Sequence, residues 1–277
     1  MKKPSLIIFI ALSSFFSGCE NAFEPLEKSD KYVFSMNGYL DVHADTQWIR
    51  VMPIGETLLP QDSTVNSNQV RLTREATGES AVLNDSLFKF SGDTYVWNYW
   101  SPDPVIANEE YRITATDSVG KQSSVVVRMV SNLMVPEIEY DQDFEEISVS
   151  GVVQDSIIAL ETRYLVQALV EVGCTPEREI SFSHLDNVTA SPSGNYSFTS
   201  INREAIARKL DVEAFSFQVN QRKLVLITAS EDWPDYTNLD KIEANLPSVN
   251  SNVKNGTGFV GGIAKKEIII TDRQPPC

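Results

Sequence analysis

The chain has 277 residues, 38 of them acidic and 23 basic, for a formal charge of −15, and 42% are hydrophobic. That apolar content excludes disorder over the whole length. The negative charge repels phosphate backbones, so nucleic acid is excluded as a partner, and anionic lipid attracts the surface no better.

Residues 1–18 have the organisation of a lipoprotein signal peptide. Lys2 and Lys3 form a positive start, Leu6 to Phe16 is apolar apart from serines, and the small residues Ser17 and Gly18 precede Cys19. The run is shorter than the roughly 20 residues that span a bilayer. Cleavage before Cys19, with acylation of its thiol and new amine, is expected to anchor the chain, each acyl chain contributing about 0.8 kcal/mol per buried CH₂. The alternative is an ordinary cleaved signal with a cysteine there by chance. Residues 19–30 read as a lipidated tether, and no later run reaches 18 apolar residues, so anchoring without spanning is expected.

From residue 31 short segments rich in Val, Ile, Thr, Tyr and Trp recur between turn residues: "YVFSMNGYLDV", "QWIRVMPI", "NQVRLTRE", "SLFKFSG", "TYVWNYW", "EYRITATDSVG" and "SSVVVRMV". Their spacing predicts an antiparallel sandwich. Tyr111, Ile113 and Ala115 alternate with polar residues before "DSVGKQ" turns the chain into Val125–Val127, the pattern of a hairpin with one buried face. Residues 31–133 are therefore expected to form an immunoglobulin-like β-sandwich.

A second β-rich domain is expected over 134–277. It opens with "VPEIEYDQDFEE", an interdomain linker or a solvated edge. Asp141, Asp143, Glu145 and Glu146 offer oxygen ligands at mostly alternate positions, but without EF-hand spacing, and no metal is expected. Strand-like segments follow, with one helix at "NREAIARKL", where Asn202 is placed to cap and Ala205, Ile206 and Leu210 form the apolar side. "DWPDYTNLDKIEANLP" reads as a loop with a helical turn, and Phe259–Ile270 as a closing strand. Cys174 and Cys277 remain after processing, and an even pair in an oxidising compartment points to a disulfide between them.

"GTGFVG" (256–261) matches the G-x-G-x-x-G letters of a dinucleotide-binding turn. No strand precedes it, another glycine stands where a helix should open, and 16 residues after Gly261 are too few for the rest of a βαβ unit of about 30. Neither nucleotide nor other cofactor is expected. Asn255-Gly256 reads instead as a turn pair, with Gly258, Gly261 and Gly262 admitting positive φ or close backbone approach.

Catalytic signals are sparse. His43 and His184 are far apart, and Ser183, His184 and Asp186 are merely adjacent in "SFSHLD", whereas triads converge from distant positions. Carboxylate pairs for glycoside hydrolysis are a three-dimensional property that sequence does not display.

"TYVWNYW" carries the strongest binding signal. Tyr95, Trp97 and Tyr99 share one strand face, and Val96, Asn98 and Trp100 share the other. One face must fill the core. From Trp97, Tyr99 and Trp100, the rings left over form a candidate ligand or partner surface. Four Asp-Ser triplets, at 62, 85, 117 and 155, resemble O-glycosylation sites of exported Bacteroidota proteins or serve as turn chemistry.

Taken together, the lipobox at Cys19, "YVFSMNGYLD", "YRITATDSVGKQSS" and "LPSVNSNVKNGTGFVGGIAKKE" resemble the uncharacterised Bacteroidota outer-membrane lipoproteins encoded beside TonB-dependent transporters. The resemblance implies an outer-membrane location and an accessory role at such a transporter, with no catalytic residues to transfer. A non-enzymatic, ligand- or partner-binding lipoprotein is the expectation. A glycan-active hydrolase and a structural or adhesive surface protein are the alternatives.

Overall fold

A computed structural model describes residues 32–54, 67–91, 94–142, 145–171, 173–190, 194–213, 216–234 and 251–275. The expected signal peptide, the tether, Cys19 and Cys277 lie outside these residues. The first half of the chain supplies β1 (Phe34–Asp41), β2 (Gln47–Pro53), β3 (Gln69–Arg74), β4 (Ser80–Val82), β5 (Asn84–Ser91), β6 (Thr94–Ser101), β7 (Glu110–Thr116) and β8 (Gln122–Arg128). The second half supplies β9 (Glu137–Asp141), β10 (Glu146–Val152), β11 (Ser156–Ala168), β12 (Arg178–Ser183), β13 (Thr189–Ala190), β14 (Asn195–Ile201), helix α1 (Arg203–Leu210), β15 (Phe217–Ala229), β16 (Gly256–Thr257) and β17 (Val260–Thr271). The protein is mainly β, as its composition of short alternating segments demands.

Alternation decides which face each strand buries. In the hairpin of β7 and β8, Tyr111, Ile113, Ala115, Val125 and Val127 are buried while the residues between them are partly or fully exposed. Strand β14 alternates without a break, with Tyr196 and Phe198 inside. A slip of one residue in either strand would turn its apolar set to water, so the register is strongly specified.

The strands form three sheets. The largest runs β12-β11-β15-β17-β1-β2-β6-β5, with β16 also paired to β1, and the four-stranded sheets run β4-β3-β7-β8 and β13-β14-β10-β9. One core lies between the large sheet and the β3–β7–β8 sheet, built on Phe34, Met36, Ile49, Tyr99, Ile113 and Val125. The other lies between the large sheet and the β10–β14 sheet, with Ile147, Leu160, Phe198, Ile206, Leu224 and Leu226. Register places Leu40 opposite Gly262 and Thr228 opposite Ala264, so both cores share one face of the large sheet. The opposite face looks outward on β1 and β2, where Tyr39 and Trp48 are exposed, but on β15 and β17 it is covered, with Val225, Ala229 and Ile263 buried.

This arrangement corrects the expected division at residue 133. The two cores do separate there, Met129 belonging to one and Val130 to the other. The sheet does not, because β17 pairs in parallel with β1 and antiparallel with β15. Residues 31–277 form one compact unit in which the last strand joins both sandwiches. The span 129–136 carries the chain from β8 to β9, and the acidic stretch after it is the edge strand β9, paired to β10 only. Carboxylates on such an edge discourage pairing with another chain.

Helix α1 buries Ile206 and Ala207, with Leu210 packed beside them. Asn202 makes no side-chain cap bond. Its amide nitrogen instead lies within hydrogen-bond reach of Tyr164 Oη (2.8 Å), Ser200 Oγ (2.6 Å) and Thr162 Oγ1 (3.2 Å). The expected cap is thus a tie between the helix and the large sheet.

Candidate functional site

The outward face of the large sheet concentrates aromatic rings. Directly opposed residues in neighbouring strands point the same way. Register sets Tyr39 of β1 opposite Trp48 of β2, Trp48 opposite Trp100 of β6, and Trp100 opposite Asn84 of β5. Trp48 and Trp100 stack with centroids 5.8 Å apart and planes 28° apart, and Phe88 meets Trp48 edge-on at 5.8 Å. Tyr39 is 49% exposed, Trp48 43% and Phe88 44%.

A polar row runs beside the rings. Asn37 stands opposite Arg50, Arg50 opposite Asn98, and Asn98 opposite Ser86. Arg50 Nε donates to Asn98 Oδ1 at 3.4 Å, and Trp100 Nε1 donates to Ser86 Oγ at 3.2 Å, which tethers one ring to the polar row.

Of the three rings singled out in "TYVWNYW", the structure brings only Trp100 to this face. Tyr99 is 2% exposed within the first core, and Trp97 packs against that core from the same side. Tyr99 is therefore corrected from a candidate surface residue to a core residue. Tyr39, Trp48 and Phe88 were missed. Their signal was present in "NGYLD" and "QWIRVMPI", where Tyr39 and Trp48 alternate with core residues Leu40 and Ile49, but sequence does not state which strands are neighbours.

"GTGFVG" lies beside the same face. Asn255 (φ 54°) and Gly258 (φ 99°) take left-handed conformations in the turn entering β17, where Gly256 pairs with Phe34 in β16–β1. A Cβ on Gly258 would stand 3.0 Å from the Met36 carbonyl carbon and closer still to its oxygen. A Cβ on Gly261 would lie 2.8 Å from both Phe259 Cε1 and Trp233 Cε3, two rings that meet edge-on at 5.5 Å. Because Gly261 is opposite Tyr39, this ring pair continues the aromatic row onto β17. A Cβ on Gly262 would stand 3.1 Å from Arg128 C and Met129 Cα, where the chain leaving β8 crosses β17.

His184 is buried, 4% exposed, with Nε2 2.8 Å from Thr162 Oγ1 and its ring stacked on Phe198 at 4.5 Å. Burial lowers its pKa from 6.5, opposed by the Glu161 charge. Thr162, Tyr164, Ser200 and Asn202 complete a satisfied polar cluster inside the second sandwich, the architecture of a core histidine. Tyr196 is also desolvated, its phenol pushed up to about 12.

Among the described residues no group of acids, His or Cys is arranged to hold a metal. Of the four acids considered as Ca²⁺ ligands, Glu145 pairs with Arg203 and Arg222, and Asp143 lies outside the described residues. Two described grooves, of about 550 and 260 Å³, flank the 129–136 crossing, and each contains one carboxylate, Glu137 and Asp155 respectively. Asp155 accepts from the Ser131 N–H and hydroxyl, and Asp117 accepts from the N–H groups of Val119 and Lys121. The Asp117 contacts are local turn chemistry, whereas those of Asp155 reach back 24 residues to Ser131; Asp85 lies within strand β5, and the triplet at 62 lies outside the described residues.

Cys174 is disulfide-bonded. Its expected partner lies outside the described residues, but the chain before it is tied to the same end of the sheet. Arg273 pairs with Glu177, Gln274 N–H donates to Asn220 O, and Gln218 Nε2 donates to Pro275 O.

Fold and face together define a β-sandwich protein with a row of partly exposed aromatic rings on its large sheet. No protein-family model matches the chain, and no curated protein matches it. Among solved structures it is similar to a pullulanase from Anoxybacillus sp. LM18-11, at 13% identity and a TM-score of 0.23, and to that pullulanase complexed with maltotriose, at 12% and 0.24. Each match covers 71% of this chain and 24% of the other. Neither the architecture nor the activity of those enzymes is carried over at such low similarity.

Proposed function

We propose that the protein is a non-enzymatic binding lipoprotein, held at the outer membrane by lipid on Cys19 and serving as an accessory component of a TonB-dependent transporter. The aromatic row on the outward face of the large sheet carries the binding reading. Single exposed apolar residues are ordinary, but large rings in register on three neighbouring strands, with a guanidinium beside them, are what recognition surfaces concentrate. The lipobox and the family resemblance support the location and the transporter role.

The hydrolase alternative requires two carboxylates facing one another across a cleft. Neither described groove contains that pair, so no specific observation favours it. The proposal is tested on the full-length protein in its own membranes. Gentle solubilisation is expected to recover it with an outer-membrane β-barrel, and palmitate labelling is expected to be lost in Cys19→Ala. Recovery without any barrel overturns the accessory role, and unchanged labelling of Cys19→Ala overturns the anchor.

A further inference from the structure

We infer that the outward face binds a neutral glycan, its sugar rings lying against Tyr39, Trp48 and Trp100 and its hydroxyls over Asn37, Arg50 and Asn98. This rests on the reading of the protein as a binding protein and names the ligand of that face. A pyranose has an apolar face of C–H bonds and a rim of hydroxyls, so it needs an aromatic surface with hydrogen-bonding groups directly alongside. The sheet supplies both in register: Tyr39–Trp48–Trp100 forms one row and Asn37–Arg50–Asn98 the next, two residues along each strand. Two residues along a strand cover about 6.6 Å, close to the reach from the middle of a sugar ring, through a hydroxyl oxygen about 3 Å out, to a hydrogen-bond partner about 3 Å beyond it.

The rings remain open to such a ligand. Parallel rings in van der Waals contact lie about 3.7 Å apart. With that plane separation, the 5.8 Å between the Trp48 and Trp100 centroids implies a lateral offset of roughly 4.5 Å. Each indole therefore leaves part of the other's face uncovered, in keeping with the exposure of Trp48 and the partial burial of Trp100. Strands are spaced about 4.8 Å apart, so the row from Gly261 to Asn84 spans about 19 Å. That length suits an oligosaccharide better than a single sugar.

Charge decides which glycan fits. The chain carries −15, yet the outward positions of β1, β2, β5 and β6 between the two rows hold one charged side chain, Arg50. The carboxylate at the margin, Asp41, is buried and accepts N–H bonds from His43 and Lys265. An acidic polysaccharide would be repelled by the rest of the molecule, whereas a neutral one meets aromatic faces, amides and a guanidinium fork.

The test is native affinity electrophoresis of detergent-solubilised full-length protein through gels containing xyloglucan, galactomannan or dextran, with polygalacturonate as the acidic comparison. At least one neutral gel is expected to retard the protein and polygalacturonate is not. Trp48→Ala and Trp100→Ala are expected to weaken retardation at least tenfold while melting as the parent does, and Trp48→Phe to retain part of it. Absence of retardation in every neutral gel, retardation of both alanine variants equal to that of the parent, or stronger retardation by polygalacturonate overturns the inference. If no glycan binds and Trp48→Ala instead loses the co-purifying barrel, the face serves a protein; the inference falls and the proposed function stands. If a neutral glycan binds and no barrel is recovered, the inference stands and the accessory role falls.

Discussion

Gly262→Ala is expected to destabilise the whole fold. The added Cβ would stand 3.1 Å from Arg128 C and Met129 Cα and closer still to the Arg128 carbonyl oxygen. Those atoms are backbone, at the point where the chain leaves one sandwich for the other, so no rotamer change relieves the overlap. Overpacking of this kind costs about 1–3 kcal/mol, and the upper end applies where the backbone itself must move. Alanine returns roughly 0.5–1 kcal/mol by restricting the unfolded chain. The net loss is about 2 kcal/mol, or a fall of about 4–8 °C in Tm at this chain length, read by circular dichroism. Gly261→Ala supplies the contrast, because its Cβ would meet the side chains of Phe259 and Trp233. Adding Phe259→Ala is expected to recover part of the Gly261→Ala loss and none of the Gly262→Ala loss. A Gly262→Ala protein melting within about 1 °C of the parent would refute the tight crossing.

Three further outcomes follow from the second sandwich. Because burial holds the His184 imidazole below 6.5, the unfolded chain binds more protons just below that pH. Stability is thus complete above about pH 6.5 and declines as pH falls through it, so Tm is expected to be lower at pH 5.5 than at 7.5, with a smaller gap in His184→Gln. Asn202→Ser retains a good capping residue but is too short to reach Tyr164, so it is expected to lose about 2 kcal/mol in urea unfolding, as Asn202→Ala does; rescue by serine would restore the capping role. Peptide mapping without reductant is expected to show Cys174 joined to Cys277, and Cys174→Ser to lose about 2–4 kcal/mol. A Cys174 peptide joined to Cys19 would overturn that pairing.

The longer alternating strands are legible in the sequence, because alternation of apolar and polar residues is local, whereas the short β4 and β13 and the acidic edge strand β9 are not. Tyr111, Ile113 and Ala115 declare a buried face without any neighbour being known, and the surroundings of "GTGFVG" exclude a βαβ unit without a structure. Asn202 shows where local rules stop. It has the right residue type for a cap and the right position, but three oxygens brought from β11 and β14 claim its amide.

Strand neighbours are non-local, and they decide everything concerning the site. Nothing between residues 39, 48, 100 and 261 predicts that they line up on four adjacent strands, since that depends on β17 entering the sheet beside β1 more than 200 residues after it. The same insertion made one unit of two expected domains. What the chain determined by itself is a mainly β protein of alternating strands and the glycines its last strand requires. What only the tertiary structure decided is which side of each strand was left over, because a face becomes a surface only when every partner that could cover it has taken its place elsewhere.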